Sequence, residues 1–88
     1  MAVKTPQMVE IVWWDAEDAT RTWSNESEIE EFANRPCEIC STGYLLKTTK
    51  HYVVIGSDII RVSDEPSVRY GRVGKIPRPW IRNIRRIR

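Results

Sequence analysis

Apolar residues alternate along positions 8–14, with Met8, Val12 and Trp14 on one side and Val9, Ile11 and Trp13 on the other. A period of two in a β-branched and aromatic run predicts a strand, here with both faces partly covered. Residues 15–22 are polar and read as a loop or a ragged hairpin. From Asn25 the period lengthens. Ile29, Phe32 and Ala33 fall at i, i+3 and i+4, one helical stripe, while Asn25 with Glu28 and Ser27 with Glu30 both match the capping-box spacing. Asn34 and Pro36 end the helix. It is too short to persist alone, so it is expected to dock on a sheet with Phe32 buried there.

Strand character returns over residues 38–47, with Gly43 as a bend or bulge point, and again over residues 51–55 after a turn at Thr48, Thr49 and Lys50. Residues 62–67 read as an exposed loop and residues 72–76 as a further strand. Pro77 and Pro79 bar residues 77–81 from a sheet interior, because each removes a ladder donor. That segment is expected to form one 3₁₀ turn leading to a last strand over residues 83–87. The order of elements predicts a mainly β fold, α+β at the margin: a small, strongly bent SH3/Sm-like barrel with one short helix in its N-terminal region. Eighty-eight residues suit a single domain, 1–88, with residues 1–7 as a loose lead-in and residues 82–88 as a basic strand or tail.

Composition changes this picture in two places. Four tryptophans in so short a chain supply large apolar surface to a thin core, and Trp13 and Trp23 are expected there rather than on a stacking surface. The net charge of +2 hides a polarity. Residues 1–34 hold Lys4 and Arg21 against eight acids, whereas residues 69–88 hold eight basic residues and no acid. Such asymmetry fits an anionic partner at the C-terminal end, self-association of acidic end with basic end, or a solvated tail. The candidate ligand-binding residues are Arg69, Tyr70, Arg72, Arg78, Arg82, Arg85, Arg86 and Arg88. Guanidinium groups suit bidentate phosphate contacts, and interleaved aromatics such as Tyr70 and Trp80 can stack a base.

Catalytic motifs are missing from the pattern. Cys37 and Cys40 form a lone CxxC, which needs two more ligands to close a zinc site, and the chain offers only His51. Three apart on a strand, the two thiols point to opposite faces and are expected to be buried or half-buried packing groups. The acids Asp15, Glu17 and Asp18 lack the glycine turn and terminal Glu of a calcium loop. No phosphate-cradling glycine loop exists. The expectation is a protein that is not an enzyme and carries no cofactor or metal. No run of 18 apolar residues or signal-peptide pattern occurs, so no membrane partner is expected.

Val9-Glu10 with Trp14-Asp15, Trp23 ahead of the helix, Ser41-Thr42-Gly43-Tyr44-Leu45, Tyr52-Val53-Val54-Ile55, and Ile76-Pro77-Arg78 with Ile81 and Ile84 together resemble a group of small, functionally uncharacterised proteins of tailed bacteriophages and prophages. The resemblance implies a phage-encoded accessory protein and transfers no catalytic residue, and the lack of a signal-peptide pattern makes the host cytoplasm its expected location. The arginine-rich residues 82–88 depart from that group, where an acid often follows the last isoleucine. Homo-oligomerisation is expected on physical grounds, since such barrels leave strand edges that pair between copies. Three functions fit: a nucleic-acid binder using the arginine face, a sponge for a small anionic nucleotide signal of host defence, and an interaction module acting on a host protein.

Overall fold

The computed structural model describes residues 5–61 and 68–87. The chain forms β1 (Met8–Asp15), α1 (Glu26–Asn34), β2 (Cys37–Thr48), β3 (Tyr52–Arg61), β4 (Val68–Pro77), a 3₁₀ turn η1 (Arg78–Trp80) and β5 (Ile81–Arg86). The five strands make one antiparallel sheet in the order β4-β3-β2-β1-β5. The mainly β expectation therefore holds, as do the helix and the 3₁₀ turn, which follows Pro77 and contains Pro79. The sheet is open: β4 and β5 are its two edges, joined in sequence through η1 but not hydrogen-bonded to each other. The expected loop at residues 62–67 and lead-in residues 1–4 lie outside the described residues.

The sheet curls because β2 changes partners halfway. Its first part pairs with β1 from Cys37 to Tyr44, and its second part pairs with β3 from Tyr44 to Thr48. Leu46 is an extra residue between the Leu45–Ile55 and Lys47–Val54 pairs, a bulge of the kind that increases local twist. Gly43 sits at the turnover, where a Cβ would come within 2.9 Å of the Gly56 carbonyl oxygen and 3.4 Å of Ile55 Cβ. The curl brings Val9 and Ile11 of β1 into one cluster with Val53 of β3 and Ile76 of β4, although β1 and β4 are not neighbours in the sheet. Trp13, Leu45, Ile55 and Ile81 pack around these four.

Beyond Gly56, β3 and β4 leave the rest of the sheet and run on as a two-stranded ribbon, Asp58 opposite Gly71 through Arg61 opposite Val68. This extension and α1 make the molecule long, 61 × 24 × 22 Å, with a radius of gyration of 17.8 Å. A compact chain of this length has a radius near ~12 Å.

Local chemistry starts α1 as expected. Asn25 Oδ1 accepts from the Glu28 amide at 2.8 Å, and Glu28 Oε1 accepts from the Asn25 amide at 3.2 Å, a reciprocal capping box. The docking expectation fails. No residue of α1 is buried, and Phe32 is only half-covered, by the loop before the helix and by the Arg35 guanidinium 5.8 Å from its ring centre. The reason lies at the helix exit. Pro36 disfavours helical geometry at Arg35, which adopts φ −105° and ψ 118°, so the chain leaves α1 extended and enters β2 two residues later. Trp23 is likewise not a core residue: it is 87% exposed.

Candidate nucleic-acid interface on the basic edge strand

Antiparallel pairing sorts the side chains of β1, β2 and β5 between two faces. Ile11 pairs with Ile84 and Val9 with Arg86 on the inner face; Glu10 pairs with Arg85 and Val12 with Asn83 on the outer face. The ladder shifts between Val12 and Trp13, leaving Arg82 as an extra residue between Asn83 and Ile81. That bulge aims the Arg82 guanidinium over the exposed Trp14 ring, 4.2 Å from its centre. Trp14 Nε1 donates toward Glu38 Oε1 at 3.4 Å. The ring thus has a cation over it and a carboxylate at its indole nitrogen, and stays 41% exposed.

Beside it, Arg85 Nε donates to Glu10 Oε1 at 2.8 Å. The hydrogen bond and the positive charge of Arg85 hold the Glu10 carboxyl below the usual carboxylate range. Cys40 lies across the strand from Val12, next to this pair. Desolvation first, then the Glu10 carboxylate, pushes its thiol above the ordinary value, so it is a poor nucleophile. Cys37, opposite Asp15, faces the other way, as the three-residue spacing required. Cys40 is exposed rather than packed, and Cys37 is half-buried.

The other expected site residues are dispersed. Arg69, Tyr70 and Arg72 stand on the β3–β4 ribbon, at the sheet edge opposite β5. Arg72 forms a two-pronged pair with Asp58, Nε to Oδ2 at 2.9 Å and Nη2 to Oδ1 at 3.2 Å. Its backbone adopts φ 51°, a left-handed conformation costly for a residue with a Cβ. The Asp58 carboxyl is lowered and the Arg72 guanidinium raised by their hydrogen bond. Arg78 Nη1 donates to the Thr49 carbonyl at 3.1 Å and ties η1 to the β2–β3 turn. Arg88 lies outside the described residues. The structure therefore brings together Arg82, Arg85 and Arg86 on one edge strand and separates them from Arg69 and Arg72. Reasoning from the sequence missed Trp14 as their aromatic partner, because only the strand register puts it beside Arg82.

Among the described residues, no group of three or more His, Cys, Asp or Glu side chains is placed to hold a metal ion. Treatment with a chelator is expected to leave the melting temperature unchanged, since a closed site would need more ligands than Cys37, Cys40 and His51 supply. Stoichiometric zinc by elemental analysis is the contrary result. A shallow cleft of 210 Å³ lies between α1 and the preceding loop, lined by Glu17, Asp18, Arg21, Glu28 and Arg35 among others. Ion pairs Arg21–Glu28 and Arg35–Glu17 span this region and engage both of its arginines, while Asp18 and Glu31 leave it acidic on balance.

Against known proteins the chain stands apart: no family model, no curated protein and no solved structure matches it.

Proposed function

We propose that the chain is a small SH3/Sm-like binding module of phage origin, without catalytic activity, that takes single-stranded nucleic acid along the outer face of β5. The strand order β4-β3-β2-β1-β5 with a single 3₁₀ turn before the last strand supports the barrel-like reading. One observation carries the functional reading: the Arg82 guanidinium over the exposed Trp14 ring, on an edge strand that also presents Arg85 on the same face and bears no acid. A stacking ring beside a row of cations is what a flexible polyanion requires, because every base offers a π-face and every phosphate a charge. Glu10 and Glu38 temper the charge locally, the first by its hydrogen bond to Arg85.

The test is titration of single-stranded RNA, duplex DNA and a cyclic dinucleotide at two salt concentrations, with Arg82→Gln and Trp14→Ala as variants. Single strands are expected to bind tightest. Trp14→Ala should weaken them by about five- to 150-fold, the worth of one stacked base. Arg82→Gln should flatten the slope of log affinity against log salt by about 0.7, the value of one phosphate contact on a single strand. Stoichiometric binding of the cyclic dinucleotide alone would replace this reading with a nucleotide sponge. Binding of none of the three below about 100 μM, a free energy weaker than about −5.5 kcal/mol, would leave a host-protein partner instead.

A further inference from the structure

Two apolar surfaces of the same chain lack a cover, and their charges are opposite. The first is α1. Ile29 is 55% exposed, Ala33 is exposed and Phe32 is half-covered, so the stripe that should anchor the helix meets mostly solvent. A nine-residue helix with no buried residue is marginal in water even when well capped. Its apolar stripe is bordered by Glu26 and Glu30 on one side and Glu28 on the other, and no basic residue lies in its last turn.

The second surface is the inner face of the sheet where it stays open beside β5. Ile84 shares that face with the fully buried Ile11, yet is 43% exposed. Trp80 stacks on Trp13 with ring centres 6.3 Å apart and planes 16° from parallel, and is still 39% exposed. Arg86, opposite Val9, stands at the rim of the same face. The core thus continues to an unfinished edge made of an isoleucine, an indole and a cation.

We propose that α1 of one copy docks on this open face of a second copy, with Ile29 and Phe32 against Ile84 and Trp80, and Glu26 and Glu30 facing Arg86. Charge complementarity selects a second copy of this chain as the occupant: the acidic helix and the basic strand are each repelled by their own kind and attracted by the other. The extended exit at Arg35-Pro36 turns the helix away from its own sheet and makes the neighbour's face the accessible one. Made reciprocally the contact closes a two-fold dimer, and made head to tail it builds a ring or a short chain. It uses the inner face of β5 and is independent of the nucleic-acid reading, which uses the outer face.

Sedimentation velocity in the absence of nucleic acid tests this. The parent is expected to associate at about 100 μM or below, an affinity of about −5.5 kcal/mol or better. Two charge-reversed proteins, Glu26→Arg with Glu30→Arg and the single change Arg86→Glu, should each lose at least about tenfold in association, because like charges now face across the contact. Mixed one to one, they should regain the parent's association, since each supplies the surface the other has inverted. Ile29→Asp, at an exposed position that leaves folding intact, should dissociate the parent. A monomeric parent at that concentration, undiminished association of either reversed protein, or failure of the mixture to recover would each overturn the proposal.

Discussion

Ile11→Ala is expected to cost about 2–5 kcal/mol, the range for removing a fully buried aliphatic side chain and leaving a cavity. Ile11 is the only large side chain completely shielded from solvent among the described residues, and it sits at the centre of the four-residue cluster with Val9, Val53 and Ile76. The neighbours cannot collapse into the gap easily, because Val9 and Ile11 are fixed on a central strand paired on both sides, to β2 and to β5. At about 0.05–0.15 kcal/mol per residue a chain of 88 residues holds about 4–13 kcal/mol in all, so the substitution is expected to remove a large share of its stability and lower the urea midpoint accordingly. Urea titration followed by circular dichroism checks this. A loss under about 1 kcal/mol would mean that the fold draws its stability from elsewhere, the contacts between copies being the first place to look.

Gly43→Ala is the second large effect, and it separates crowding from backbone freedom. A methyl group at Gly43 would stand 2.9 Å from the Gly56 carbonyl oxygen, a backbone atom with no rotamer by which to retreat. Forcing β2 and β3 apart at that point disturbs the Tyr44–Gly56 pair, where β2 passes from one partner to the next. The cost is expected to be about 1–3 kcal/mol, as for other overpacked positions. Gly74→Ala is the control, with nothing within 4 Å of the added carbon. It should be neutral or gain up to about 1 kcal/mol by restricting the unfolded chain. Equal effects at the two positions would remove the close approach at Gly43 as the explanation for its glycine.

Much of this was legible along the chain because the rules involved are local. The capping box at Asn25 and Glu28 needs only a spacing of three residues, and the 3₁₀ turn needs only two prolines that cannot donate to a ladder. Strict alternation grouped Val9, Ile11 and Trp13 on one side of β1 without saying which side is inner, and the burial of Val9 and Ile11 decides it. Trp23 could not be placed this way, since an aromatic in a polar stretch carries no period to say which side it takes. The helix stripe was visible but its cover was not. Periodicity shows that Ile29 and Phe32 share a face and says nothing of what lies opposite.

The arginine-rich end illustrates the same limit. In the sequence, the basic residues from Arg69 to Arg88 read as one charged end. In space, β4 and β5 are opposite edges of the sheet, so Arg69 and Arg72 part company with Arg82, Arg85 and Arg86. Asp58 engages Arg72 from 14 positions away, and Glu10 engages Arg85 from 75 positions away. By itself the amino-acid sequence determined the elements, their order and the sign of the charge at each end, because alternation, capping and proline act over a few neighbouring residues. Only the tertiary structure decided which arginines are matched, which ring Arg82 covers and that α1 stands free of its own sheet. Those outcomes depend on strand register, on the bulge beside Trp13 and on the direction in which Pro36 releases the helix, which are properties of residues brought together rather than residues in a row.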